Sequence, residues 1–132
     1  MKKIYLASYM EKEFHGPGRK ISIASSKPND FKVDAAFKFF IPPEDIISEY
    51  KKIQKTSQEN AVEFFAESYK KQLSDFFDAV KNAAKNNNTT IQDELPFEDG
   101  DTLLSWERSY RTSYRPTIAK FLSDAGYEVV LK

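Results

Sequence analysis

The sequence contains no cysteine. Disulfides, thiolate metal sites and cysteine nucleophiles are excluded together. Histidine occurs once, as His15, so a single chain offers no His-rich metal centre. A carboxylate-only magnesium or calcium site would need acidic residues at fixed spacing, and no stretch supplies it. The residues call for no cofactor and no metal. Long apolar runs are missing too, and nothing approaches the ~20 residues of a membrane helix. The opening M-K-K-I-Y-L-A-S-Y-M has a short apolar stretch soon followed by Glu11, Lys12 and Glu13. It reads as a strand and not as a signal peptide, which makes the cytoplasm the expected compartment.

Charge of one sign is the last absence. Twenty basic residues balance 20 acidic ones. A binder of nucleic-acid polymers draws affinity from excess positive charge, and this chain has none overall. The distribution is uneven, however. Residues 1–27 are mostly basic (Lys2, Lys3, Lys12, Arg19, Lys20, Lys27), residues 93–101 are acidic, and residues 108–120 carry Arg108, Arg111, Arg115 and Lys120 without an acid. Two basic segments can therefore meet in a neutral molecule.

What is present is a soluble, aromatic-rich composition of one-domain size. The 132 residues are 40% hydrophobic and 30% charged, with eleven Phe and seven Tyr, which fits a single globular domain spanning 1–132 with an aromatic core. Lys3 to Tyr9 is rich in strand formers and predicts a first strand. His15-Gly16-Pro17-Gly18 is a strong turn signal. Lys20 to Ala24 alternates and predicts a second strand, followed by a loop through Ser25, Lys27 and Pro28. Phe31 to Phe40 is aromatic and fits either a short helix or an irregular cover over the core. Pro42-Pro43-Glu44-Asp45 opens a helix, because Pro and acids suit a first turn.

Thr56 with Glu59 fits a capping box for a long helix over about 57–85. Val62, Phe65, Tyr69, Leu73, Phe76, Val80 and Ala83 form its apolar stripe. That stripe suits packing on the domain's own sheet better than a dimer seam, because its heptads are few. Residues of about 86–101 are polar and acidic and predict a mobile surface loop, with a lid as the alternative. Thr102 to Trp106 is uncharged and predicts a central strand covered on both faces. Ile118, Leu122 and Ala125 mark the buried side of a last helix that stops at Gly126, and Tyr127 to Leu131 is the final strand. Strand, helix, strand over 102–131 predicts a βαβ unit. The expected fold is α/β, with a small, mostly parallel sheet of about four strands flanked by helices and an enlarged helical middle.

Three of the four Arg lie between Trp106 and Pro116, in a chain that otherwise uses 16 Lys. A guanidinium fork matches phosphate or carboxylate oxygens, which an ammonium does not. The loop follows a strand and precedes a helix, where open α/β sheets bind ligands. A helix amino end adds free N–H groups and partial positive charge. Thr112 or Ser113 can cap that helix. Pro116 suits its first turn and biases Arg115 toward an extended, non-helical conformation. Trp106, Tyr110 and Tyr114 offer rings for a base. The competing reading is a solvated loop, with Arg108 or Arg115 paired to Glu107 or to the acids of 93–101.

The motifs together resemble the domain-of-unknown-function family 488. I-Y-L-A-S-Y-M is similar to the family's I-Y-T-S-Y-F with one added residue, and K-I-S-I-A-S to its P-I-S-I-A-R. The stretch from Ile41-Pro42 through Tyr50 is similar to the family's proline-started helix. L-L-S-W-E-R-S-Y-R-T-S-Y-R-P-T-I-A-K-F-L resembles, without a gap, L-L-C-Y-E-K-x-x-x-x-C-H-R-x-x-x-A-x-x-L. The likeness covers nearly the whole chain, with an enlarged middle. It implies an α/β fold with a pocket. The family's Cys-His-Arg is here Ser113-Tyr114-Arg115, its other Cys falls at Ser105, and an Arg falls at Ser25. A serine without a nearby base is not an activated nucleophile. The substitutions therefore imply binding without thiol catalysis.

The expected function is that of a non-enzymatic binder of a phosphorylated small molecule or nucleotide. Its expected site residues are Ser8, Tyr9, Ser25, Lys27, Trp106, Glu107, Arg108, Arg111, Ser113, Tyr114 and Arg115. A specific form is a phage-carried sponge that sequesters a nucleotide immune signal in the bacterial host cytoplasm. One alternative is an enzyme acting on a nucleotide or sugar phosphate, with Glu107 as acid or base and Arg108 or Arg115 stabilising charge. The other is a protein-interaction module using the helix 57–85, and a homo-oligomer is compatible with either.

Overall fold

Thr102–Ser105 is buried at every position, and the sheet is built outward from it. In the computed structural model, which describes residues 1–24, 27–106 and 114–131, this strand is β4. The others are β1 (Lys3–Ser8), β2 (Lys20–Ser22), β3 (Ala35–Ala36) and β5 (Glu128–Leu131), and the helices are α1 (Glu44–Gln54), α2 (Gln58–Asn87) and α3 (Arg115–Asp124). The five strands form one sheet in the order β3-β2-β4-β1-β5, and every pairing is parallel. The α/β fold agrees with the sequence reading. The count of about four strands is corrected to five, because Ala35–Ala36 pairs with Ile21 and Ser22 inside the aromatic segment. The two strands of the 102–131 unit are parallel but not neighbours, since β1 lies between them.

Side-chain alternation divides the core into two layers. Ile4, Leu6, Ile21, Ile23 and Leu103 point to one face, where they meet Tyr69, Leu73, Phe77 and Val80 of α2 and Ile118 and Leu122 of α3. Helix α1 packs against α2. Ala7, Tyr9 and Leu104 point to the other face, where Phe14, Phe31 and Val33 cover them. No α-helix covers this second face among the described residues. Loops do, and they are pinned. A Cβ built on Gly16 would enter the Tyr5 ring and lie 2.7 Å from the Gly100 carbonyl oxygen, so only glycine allows that approach.

Helix α2 begins one residue later than the capping-box reading places it. Ser57, not Thr56, is the cap and accepts from the Asn60 N–H at 3.2 Å, while the Thr56 hydroxyl turns back to the Ile53 carbonyl. The helix runs to Asn87, and its cap Asn88 takes the left-handed conformation with φ 55°. Its buried face is Ala61, Tyr69, Leu73, Phe77, Val80 and Ala84. The expected stripe is therefore rotated. Val62 is 47% exposed, whereas Phe65 and Phe76 pack at the margin of the core. The stripe is spent on the chain's own sheet.

The surface-loop reading of 86–101 is corrected for its second half, where Leu95 and Phe97 are buried in the core. Burying one Phe side chain contributes roughly 2–3 kcal/mol, enough to hold the segment down. Asp101, at the amino end of β4, is 1% exposed. Gly126, with φ +97°, follows the last turn of α3, as its position predicts.

Candidate functional site

Parallel pairing brings the carboxyl ends of β1, β2 and β4 to one rim. Ser8 and Ser105 are register partners there, and both are fully buried. The Ser8 hydroxyl donates to the Trp106 carbonyl at 3.1 Å and accepts from the Met10 N–H at 3.2 Å. It therefore turns the chain out of the sheet as a local cap. The Ser105 hydroxyl has no hydrogen-bond partner, and such a buried donor costs about 1–3 kcal/mol. By alternation it lies on the same sheet face as Leu103, which is the face α3 covers.

Tyr9 is 1% exposed. Its N–H donates to the Ser105 carbonyl at 2.9 Å, and its hydroxyl donates to Ser22 Oγ. Burial pushes this phenol up, against a smaller lowering by the Ser22 hydrogen bond. The Tyr9 ring meets Trp106 edge-on with centroids 5.5 Å apart. Tyr9 thus supports the rim from beneath, whereas Trp106 is 41% exposed.

Helix α3 starts over this rim. Tyr114 is its N-cap residue, without a side-chain capping bond. Instead the Tyr114 hydroxyl donates to the Ile23 carbonyl at 2.7 Å, tying the helix start to the end of β2. Its ring packs on Tyr69 of α2. Arg115 is the first residue of α3 and is fully buried. The expectation of a non-helical Arg115 is thus corrected: Pro116 sits within the first turn, and helix geometry begins one residue before it. Removing a guanidinium from water is expensive unless it has a partner; Arg115 is not a solvated side chain.

Of the other expected residues, Lys27 is exposed, and its ammonium donates to the Phe31 carbonyl at 2.8 Å, so it orders the loop after β2. Ser25, Glu107, Arg108, Arg111 and Ser113, with Tyr110 and Thr112, lie outside the described residues. One acid of 93–101 has a cation already. Asp101 accepts from Arg19 Nη2 at 2.7 Å, at the opposite, amino end of the sheet.

Sequence reasoning missed His15. Its Nε2 lies 2.8 Å from the Ser8 carbonyl oxygen. A carbonyl only accepts, so Nε2 carries the proton. The turn at Gly16-Pro17-Gly18 folds the loop back along β1, and that turn was the available signal. Among the described residues no group of three or more His, Asp or Glu is placed to hold a metal, and no helix is long and apolar enough to cross a membrane.

Compared with known protein families, curated proteins and solved structures, the chain has no match.

Proposed function

We propose that the protein is a non-enzymatic binder of a phosphorylated small molecule or nucleotide, held at the carboxyl ends of β1, β2 and β4 beside the amino end of α3. The observation that carries this reading is Arg115, fully buried at the first position of α3. A cation and the N–H groups of a helix start favour the same kind of ligand there. Ser105, with its unpartnered hydroxyl, adds a donor on the same sheet face, and Trp106 adds a ring on the open side. The resemblance to the domain-of-unknown-function family 488 supports the same location on sequence motifs alone. In its narrower form the ligand is a nucleotide immune signal that the protein sequesters unchanged.

Calorimetric titration with cyclic oligonucleotides, ADP-ribose derivatives and AMP tests the reading. Binding is expected to be weakened at least tenfold by Arg115→Lys, since an ammonium cannot reproduce the fork. Arg111→Gln, a second arginine variant, keeps the test informative if Arg115→Lys unfolds. Ligand recovered intact after denaturation supports sequestration. Ligand recovered cleaved would instead establish the enzymatic alternative, and no heat with any of these probes would overturn the site.

A further inference from the structure

We infer a second anion site, on the loop-covered face of the sheet, that takes a small phosphorylated molecule. A cleft of about 520 Å³ lies between the 10–19 loop and the 27–34 segment. Its lining includes Lys12, His15, Lys20, Asp30, Phe31 and Lys32. Three ammonium groups therefore face one carboxylate, in a chain of zero formal net charge. The volume is in the range of small-molecule sites.

The cations here make no ion pair among the described residues. The ion pairs among the described residues are Lys3 with Glu128, Arg19 with Asp101 and Lys71 with Asp75, and none uses Lys12, Lys20 or Lys32. Asp34 stands beside the cleft with its carboxylate turned to the Lys20 backbone N–H at 2.7 Å and makes no ion pair with the Lys20 ammonium. The Lys20 ammonium donates to the Gly16 carbonyl at 2.6 Å and more weakly to Gly18 at 3.4 Å. An ammonium has three N–H groups, so at least one remains for a ligand, and its position is set in advance by the two carbonyls. Lys20 is thus fixed at the cleft, whereas Lys12 and Lys32 are exposed at its edge.

The wall that carries these groups is rigidly placed. Gly16 N–H donates to Thr102 Oγ1 at 2.7 Å, and Gly18 N–H to the Gly100 carbonyl at 2.9 Å. His15 is anchored through Nε2 to the Ser8 carbonyl, which holds its ring as part of the wall. Phe31 supplies an apolar side, with its ring edge-on to Tyr9 and His15. A phosphate at Lys20, flanked by Lys12 and Lys32, with the organic part of the molecule on Phe31, uses each of these groups. The site stands independently of the one at the strand ends.

Two-dimensional amide NMR of the full chain, titrated at low ionic strength with pyrophosphate and with AMP, tests it. Saturable shifts are expected at Gly16, Lys20 and Lys32. Affinity should fall about tenfold in Lys20→Met. The double variant Lys12→Gln/Lys32→Gln alters only exposed positions and should weaken binding similarly if Lys20→Met unfolds. Arg111→Gln should leave the cleft shifts unchanged, which separates this site from the first. Shifts confined to Trp106, Tyr114 and Arg115 would overturn the inference. So would cleft shifts that never saturate or that persist equally in both lysine variants, because those describe counterions and not a site.

Discussion

Arg19 grips Asp101 across the amino end of the sheet, with Nη2 2.7 Å from Oδ2 and Nε 3.2 Å from Oδ1. The same carboxylate accepts from the backbone N–H groups of Arg19 and Glu98. It thereby joins the loop before β2 to the turn before β4. Asp101 is almost wholly buried, while the Arg19 side chain is 42% exposed. Truncating Asp101 to Asn should cost about 2–3 kcal/mol, below the range for fully buried pairs because water still reaches Arg19. Urea denaturation of Asp101→Asn measures it, and a change under half a kcal/mol would show the clamp to be ornamental.

The same pair sets an acid limit. Burial by itself pushes the Asp101 carboxyl up, but the Arg19 hydrogen bond, the two backbone N–H groups and the Arg19 charge outweigh it and hold it below the usual range. A carboxyl depressed in the folded state adds stability that is complete above its unfolded value of about 3.9. That contribution is lost as pH falls through the lower folded value. Thermal melts from neutral to strongly acidic pH should show a steeper acid limb in the native protein than in Asp101→Asn.

At the alkaline side the deciding group is Tyr127. Burial, with smaller contributions from the charges of Glu98 and Asp93, pushes its phenol up to about 12. The unfolded phenol ionises near 10. Its contribution to stability is therefore complete below about 10 and is lost as pH rises through about 12. The Tyr127 hydroxyl is buried without a hydrogen-bond partner, so Tyr127→Phe should be neutral or stabilising by up to about 1 kcal/mol. Ultraviolet titration should lose one late-ionising phenol in that variant. Retention of the late step would assign it elsewhere.

Ser105 separates stability from binding. Ser105→Ala removes an unsatisfied buried hydroxyl and should raise stability or leave it unchanged, by about 0–1 kcal/mol. If the hydroxyl serves the proposed strand-end ligand, affinity should fall in the same variant. A lower melting temperature combined with unchanged affinity would give the hydroxyl a structural role instead.

The start of α2 offers a local test. Ser57→Ala should destabilise by about 1 kcal/mol, whereas Thr56→Ala should cost less than half of that, because the Thr56 hydroxyl makes only an exposed bond to Ile53. Equal losses would argue against Ser57 as the cap. The one-residue error of the sequence reading is instructive here. Both residues are hydroxylic and both stand near Glu59, so composition cannot separate them. Backbone conformation can, because Ser57 is extended, with φ −157°.

Much of the fold was legible because its signals are local. The uncharged run at Leu103 and Leu104 needs burial on both faces wherever it lies, and it became the central strand. The asparagine run and Gly126 supply residues that tolerate positive φ, and both helices end on them. The apolar stripe of α2 announced a buried face but not its centre. Which of Ala61 and Val62 turns inward depends on how the sheet sits under the helix. Leu95 and Phe97 were hidden in an acidic segment, where composition outvoted two side chains that the core needed.

The sequence by itself determined the α/β class, the long helix, the strand after Asp101, the helix around Ile118 and Leu122, and the absence of thiol chemistry. These follow from periodicity, turn chemistry and residue type, which act over a few positions. The tertiary structure alone decided that β1 lies between β4 and β5, that Arg19 belongs to Asp101, that His15 reaches Ser8 and that Lys20 faces an open cleft. Each of these depends on residues distant in sequence being brought to one place. No local propensity encodes that choice of partner. It is set by the register of parallel strands and by which faces the helices and loops leave to be covered.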